Sequence, residues 1–356
     1  MAAGCNPLTA SARRRIARAP DPENIFQPAL HRRKIMYNCG FRTGALSEGT
    51  LSVDYLYLFL GLLGLFFGGE ALVRGSVGIA RRLSISPLLI GLTVVGFGTS
   101  TPELLVSVDA AWRGVPDIAL GNVIGSNIAN ILLIVGVSAL VWPIKVMGET
   151  LRRDTAVMMA AALAMVPLFA MGQMGRISGA VLVAGLVAYL VWAYRQAGEV
   201  ADDDMDQKAP ASVALSGLWV VGGLIALMIG ARLLVDGAVS IARGYGISEA
   251  FIGLTIVAVG TSLPELATSL IAALRRQSEI AIGNIVGSNI FNVLGILGLT
   301  AVIAPVPVAP RFLTFDLPIL IAVSLVLTLL LTRPVIGRGV GIAMLLAYAA
   351  YVWSAQ

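Results

Sequence analysis

Two stretches, "GTSTPELLVS" from residue 98 and "GTSLPELATS" from residue 260, set a proline beside a glutamate inside strongly apolar surroundings. Proline removes a backbone donor and displaces the carbonyl four residues earlier, Gly98 for Pro102 and Gly260 for Pro264. In lipid a freed carbonyl is costly unless it meets protein, water or a ligand. Thr99, Ser100, Thr261 and Ser262 add hydroxyls at the break, and Glu103 and Glu265 add carboxylates. A carboxylate at membrane depth needs a neutralising partner. No Lys, Arg or His lies at matching depth in these spans or the ones that follow, so a bound cation is the expected partner. Two carboxylates drawn together would repel unless a divalent ion lay between them.

A second duplicated motif follows each break, "GNVIGSNIANIL" from residue 121 and "GNIVGSNIFNVL" from residue 283. Ser126 and Asn130 are four residues apart, as are Ser288 and Asn292, so each pair shares a helix face. The glycines let that face approach the broken helix closely. Asn122, Asn127, Asn284 and Asn289 fall on other faces and are expected to cap or join helices. The whole inventory is carboxylate, hydroxyl, amide and carbonyl oxygen, a hard donor set suited to Ca²⁺ or Na⁺ rather than Zn²⁺ or Cu⁺. No base pairs with these serines, which argues against nucleophilic catalysis and against an enzyme.

The elements that hold these groups must be membrane helices. Of 356 residues, 57% are hydrophobic and 13% charged, and mean hydropathy is +0.87, more apolar surface than a soluble core of this length can hide. Ten apolar stretches long enough to cross a bilayer run near 56–80, 86–112, 117–141, 154–173, 176–195, 216–242, 248–274, 279–304, 315–332 and 337–354. The net charge of +5 resides in loops flanking them, without a basic stripe for nucleic acid. The lipid bilayer is the expected surrounding, and no obligate protein partner is indicated.

Offsetting the chain by 162 residues aligns it with itself without a gap, with 26 identities in 46 positions from Gly91–Gly136 against Gly253–Gly298. Weaker echoes include Gly68 with Gly230, Asp154 with Asp316 and Tyr189 with Tyr351. Five spans per copy is odd, so the second copy must enter from the opposite side. The fold expected is an all-α integral membrane protein of ten transmembrane helices in two inverted-topology five-helix repeats, residues 51–195 and 213–356, able to build a midplane site open to either face. Loop charge agrees. With the first span starting outside, inner loops carry eleven Lys and Arg and outer loops carry four, which favours both termini outside and the linker in the cytoplasm, in a bacterial inner membrane.

Residues 1–50 form an Arg- and Pro-rich tail, expected to be disordered, that holds Cys5, Cys39 and His31 and opposes that charge rule; Met36 would begin a chain better matched to the rest. The acidic segment 196–212 carries Asp202, Asp203, Asp204 and Asp206 without the glycine and spaced ligands of an EF-hand, and reads as a solvated linker.

"GTSTPE" with "GSNIAN", and "GTSLPE" with "GSNIFN", resemble the two signature repeats of the cation/Ca²⁺ exchanger superfamily, in its sodium/calcium exchanger branch, over residues 56–354. The resemblance implies that the second, third, seventh and eighth spans surround a central ion cluster, while the first and sixth form a sliding gate. It implies that Glu103 and Glu265 share Ca²⁺, assisted by backbone oxygens of Thr99 and Thr261. Ser100, Ser262, Thr261, Ser126 and Ser288, with carbonyls of Gly96 and Ala258, would form flanking Na⁺ sites, and Asn130 and Asn292 would line the centre. Some members carry aspartate at the position of Asn292, so this chain has one carboxylate fewer there. The implied activity is Ca²⁺/Na⁺ antiport; a Ca²⁺/H⁺ antiporter would use the same glutamates, and a cation channel would lack counter-transport. An intramembrane aspartyl protease would not need the duplicated Thr-Ser and Ser-Asn clusters. No covalent cofactor is expected.

Other polar residues read as structural. Asp109, whose repeat mate is Ile271, is expected near an exposed helix end. Glu70 with Arg74, and Arg232 with Asp236, read as within-helix ion pairs of reversed sign. Ser107 and Ser269, four residues after the glutamates, are placed to bond either the glutamate or their own backbone.

Overall fold

The computed structural model describes residues 48–83, 85–146, 149–196, 212–246 and 258–354. The tail up to residue 47, most of the acidic linker and the start of the seventh expected span lie outside them. The chain is helical: α1 (Glu48–Arg82), α2 (Pro87–Thr99), α3 (Thr101–Trp112), α4 (Pro116–Val141), α5 (Glu149–Ala170), α6 (Arg176–Gln196), α7 (Val213–Gly244), α8 (Ala258–Gly260), α9 (Leu263–Leu274), α10 (Ser278–Ile303), α11 (Phe312–Leu330) and α12 (Arg338–Ser354). Among the described residues seven helices are long and apolar enough to cross a membrane, or eight when the bent pair α2 and α3 counts as one span. The chain is an all-helical membrane protein.

Sequence explains the ends. Ser86 accepts a hydrogen bond from the Leu89 amide at 3.2 Å and Pro87 follows it, a capped start for α2. Ser212 caps α7 in the same way through the Leu215 amide at 3.1 Å. At Ser100 the backbone leaves helical geometry (φ −82°, ψ 8°), and Ser262 does the same (φ −90°, ψ 9°), in each case two residues before the proline. The axis bends by 44° between α2 and α3. Asn130 and Asn292 each sit within a wider π turn, a distortion that recurs at functional sites.

Two interior clusters of apolar side chains form. One joins α1 and α7 to the edges of α2, α9 and α10, and the other fills the bundle built from α2, α4, α5, α6, α10, α11 and α12. Along α1, Gly61, Gly68 and Gly75 recur every seven residues, with mates at Gly223, Gly230 and Gly237 on α7. A Cβ at Gly68 would lie 2.8 Å from the Leu227 nitrogen, and one at Gly230 would lie 2.7 Å from the Leu65 nitrogen. The two helices therefore touch backbone to backbone, antiparallel, and behave as one ribbed body.

Four two-residue strands were not foreseen from the sequence: β1 (Ile144–Lys145), β2 (Gln173–Met174), β3 (Val306–Pro307) and β4 (Val335–Ile336). β1 pairs antiparallel with β4, Ile144 opposite Ile336, and β2 pairs with β3, Met174 opposite Val306. The 162-residue offset converts one pair into the other.

Candidate ion-binding site

The breaks between α2 and α3 and between α8 and α9 bring Glu103 and Glu265 into one interior, each 1% exposed. Each glutamate is held by the serine of the opposite repeat. Ser100 Oγ donates to Glu265 Oε1 at 2.9 Å, and Ser262 Oγ donates to Glu103 Oε1 at 3.2 Å. The arrangement follows from packing. The first half of the broken helix leans on the other repeat's third span: Gly91 faces Gly283, and a Cβ at Gly287 would lie 2.3 Å from the Leu92 oxygen. This close backbone approach between α2 and α10 delivers Ser100 to the far glutamate.

Asn122 and Asn284 support the glutamates from behind. Asn122 Nδ2 donates to the Glu103 carbonyl at 3.0 Å and to Ser107 Oγ at 2.9 Å, while Asn284 Nδ2 donates to the Glu265 carbonyl at 3.2 Å and to Ser269 Oγ at 2.8 Å. Thr99 Oγ1 donates to Asn284 Oδ1 at 3.1 Å, which ties the first break to the second glutamate. Sequence reasoning had left Asn122 and Asn284 as joining residues. The available signal was their fixed position nineteen residues after each glutamate in both copies. Ser107 and Ser269 bond these asparagines, neither of the two partners expected.

Of the other expected residues, Ser288 Oγ donates to the Gly96 carbonyl at 3.1 Å. That carbonyl also accepts from Thr99 Oγ1 at 3.3 Å and from the Ser100 amide at 3.2 Å, so its lone pairs are already engaged by protein. Ser126 is buried on α4, one turn before Asn130; Thr261 is half-buried at the second break; Ala258 opens α8. Asn292 Nδ2 donates to Asn127 Oδ1 at 2.9 Å, and Asn127 Nδ2 to the Asn289 carbonyl at 3.3 Å, joining α4 to α10.

Oxygens dominate the unsatisfied groups of the site. Glu103 Oε2, Glu265 Oε2, Asn130 Oδ1 and Asn292 Oδ1 are buried without a hydrogen-bond partner, as is Asn130 Nδ2. Leaving a buried polar atom unpaired costs about 1–3 kcal/mol, and more when it is charged. Those glutamate oxygens that do have partners take them from neutral hydroxyls, which cannot offset two negative charges. Two carboxylates and two amide oxygens, buried and duplicated by sequence, are the donor types that a hard cation takes.

The profile of the sodium/calcium exchanger protein family matches residues 53–195 and again 215–355. The sodium/calcium exchanger MaX1 of Methanosarcina acetivorans is 32% identical over 345 residues, 85% of this chain and 98% of that protein. Inner membrane protein YrbG of Escherichia coli K12 is 38% identical over 310 residues, 84% of this chain and 95% of that one. A solved structure of the sodium-calcium exchanger NCX_Mj superposes with a TM-score of 0.76 at 35% identity, covering 86% of this chain and 100% of the other. With both copies of the repeat matched and relatives aligned over nearly their full length, this chain belongs to the sodium/calcium exchanger protein family of membrane cation transporters.

Proposed function

We propose that the protein is a secondary active antiporter that exchanges Ca²⁺ for Na⁺ by alternating access at the Glu103 and Glu265 site. The observation that carries this reading is the mirrored pair of buried glutamates, each bonded by the opposite repeat's serine and each retaining one unpartnered oxygen. One Ca²⁺ or several Na⁺ neutralise the same carboxylates, and the two fillings exclude each other. Competition for shared ligands, with opening to one face at a time, makes the exchange obligatory. Asn130 and Asn292 offer amide oxygens, Ser100, Ser262, Ser126, Ser288 and Thr261 offer hydroxyls, and Thr99 and Ala258 contribute backbone oxygens; the Gly96 carbonyl, taken up by Ser288, Thr99 and Ser100 in this conformation, joins them only when Ser288 releases it. Asn122 and Asn284 fix the glutamate backbones. MaX1 and NCX_Mj are both sodium/calcium exchangers by name, which supports Na⁺ as the counter-ion.

Alternating access rests on ten spans in two inverted five-helix repeats. The strand pairs support this. β1 and β2 flank α5, a helix long and apolar enough to cross the membrane, so they lie at opposite faces. β4 pairs with β1 and β3 with β2, so β1 and its repeat mate β3 also lie at opposite faces, as an odd number of crossings per repeat requires. The loop charges favour both termini outside and the linker inside, and the likeness to the inner membrane protein YrbG supports a bacterial inner membrane.

The test is ⁴⁵Ca²⁺ uptake into proteoliposomes preloaded with Na⁺, with pH and voltage clamped by ionophores. Uptake that requires internal Na⁺ is expected. Uptake driven by a pH gradient and indifferent to Na⁺ would replace Na⁺ with protons as the coupling ion; uptake with no counter-ion requirement would leave a channel.

A further inference from the structure

The described residues include an ion pair between α1 and the turn after α9 that their repeat mates do not form. Glu70, midway along α1, bonds Arg74 on its own helix and also Arg275, in the turn after α9; Arg275 Nε donates to Glu70 Oε2 at 2.9 Å and its Nη2 donates to Oε1. Arg276 next to it adopts a left-handed backbone (φ 59°), a conformation that disfavours side chains with a Cβ. Its guanidinium stacks over the Trp142 ring at the end of α4, 4.8 Å from the ring centroid. The turn is thus pinned to the bundle by Arg276 while Arg275 reaches out to α1.

The repeat mates of these residues cannot build the same contact. The turn after α3 has Arg113 and Gly114, with the same left-handed backbone (φ 74°) but no side chain to stack. Arg113 pairs at 2.8 Å with Asp109 on its own helix, both well exposed. The mate of Glu70 is Arg232, so the mirrored contact would set two arginines against each other. At the position of Asp109 the second repeat has Ile271, which packs on the α1 backbone at Gly69, where a Cβ would lie 3.1 Å from Ile271 Cγ1. Without an acidic neighbour one turn back, Arg275 is available to Glu70.

We infer that Glu70 and Arg275 form a one-sided latch that holds the α1 and α7 pair against the bundle at the Arg275 face. Because α1 and α7 interlock through their glycines, a hold on Glu70 is a hold on both helices. The latch biases the two-state equilibrium toward the conformation closed at that face, and among the described residues no counterpart balances it at the Arg113 face. The inference rests on the alternating-access reading, and it adds an asymmetry that the mirrored site lacks. Affinity measured from one face scales with the fraction of molecules open to that face, so the latch sets which side binds ions more tightly.

The test is amide hydrogen exchange of the full-length protein in nanodiscs without Ca²⁺ or Na⁺, comparing wild type with Glu70→Gln, Arg275→Gln, the double variant and Arg275→Lys. Each single Gln variant is expected to raise exchange about threefold or more at the Arg275 end of α9 and, at the same time, to lower it at the Trp112 end of α3, a shift of about 1:3 in a two-state population. The double variant should add nothing further, and Arg275→Lys should stay near wild type. Changes confined to the Arg275 turn, additive effects, or no change would overturn the latch. Because these readings use no transported ion, they are separate from the ⁴⁵Ca²⁺ assay, which judges the exchange reading on wild-type protein.

Discussion

At the helix breaks the two repeats match bond for bond: serine to the opposite glutamate, asparagine to its own glutamate's carbonyl and to a serine one turn on. At the far ends of the same helices they do not. Arg113 turns back to Asp109, while Arg275 crosses to Glu70 and Arg276 stacks on Trp142. On the alternating-access reading, a site opened to two faces needs the same chemistry seen from each, which would preserve symmetry at the centre. On that reading the rims meet two different compartments and are free to diverge, so a preference for one conformation can be written there without disturbing the ligands.

The strongest way to break the central symmetry is to remove a charge. Glu103→Gln and Glu265→Gln should each abolish Ca²⁺ flux, because removing one partner of a buried ionic contact costs about 3–5 kcal/mol, roughly two to four decades in affinity. Equal losses are expected, with folded protein retained by size-exclusion chromatography; a tenfold disparity would show that the two halves are not equivalent. Ser100→Ala and Ser262→Ala remove one hydrogen bond to a charged group, about 1.5–3 kcal/mol, and half-saturating Ca²⁺ in uptake assays should rise about tenfold or more for both.

Smaller effects sharpen the comparison. Asn122→Ala and Asn284→Ala each remove an amide that bonds the carbonyl of its own glutamate and a serine hydroxyl, so the two melting temperatures should fall together, by about 2–4 °C for each kcal/mol lost. At the rim, Asp109→Asn or Arg113→Gln removes a pair whose side chains are 58% and 71% exposed. Such pairs contribute under about 1 kcal/mol, and neither exchange rate nor thermal stability should move measurably.

Much of this was legible in the chain. The duplication, the paired prolines and the glutamates are written in residue types and spacing, and most of the described helices end within about five residues of the expected apolar stretches, although α1 starts eight residues early and the start of the seventh stretch lies outside the described residues. The partners of polar groups were harder to foresee. Glu70 has an obvious neighbour in Arg74, and nothing local announces Arg275, 205 residues away, as a second one. Asn122 and Asn284 look alike whether they join helices or support a glutamate, since only the crossing of two helices decides what an amide meets. The two-residue strands carry no periodicity at all, and their pairing depends on loops brought together by the bundle.

The central claim is that one site serves both ions. Equilibrium ⁴⁵Ca²⁺ binding to the purified protein, titrated with Na⁺ at constant ionic strength and pH, tests it most directly. Competitive displacement is predicted, with Na⁺ raising half-saturating Ca²⁺ without lowering the number of sites, and with binding lost in both Glu103→Gln and Glu265→Gln. Ca²⁺ binding that persists in those variants, or that is indifferent to Na⁺, would contradict the account.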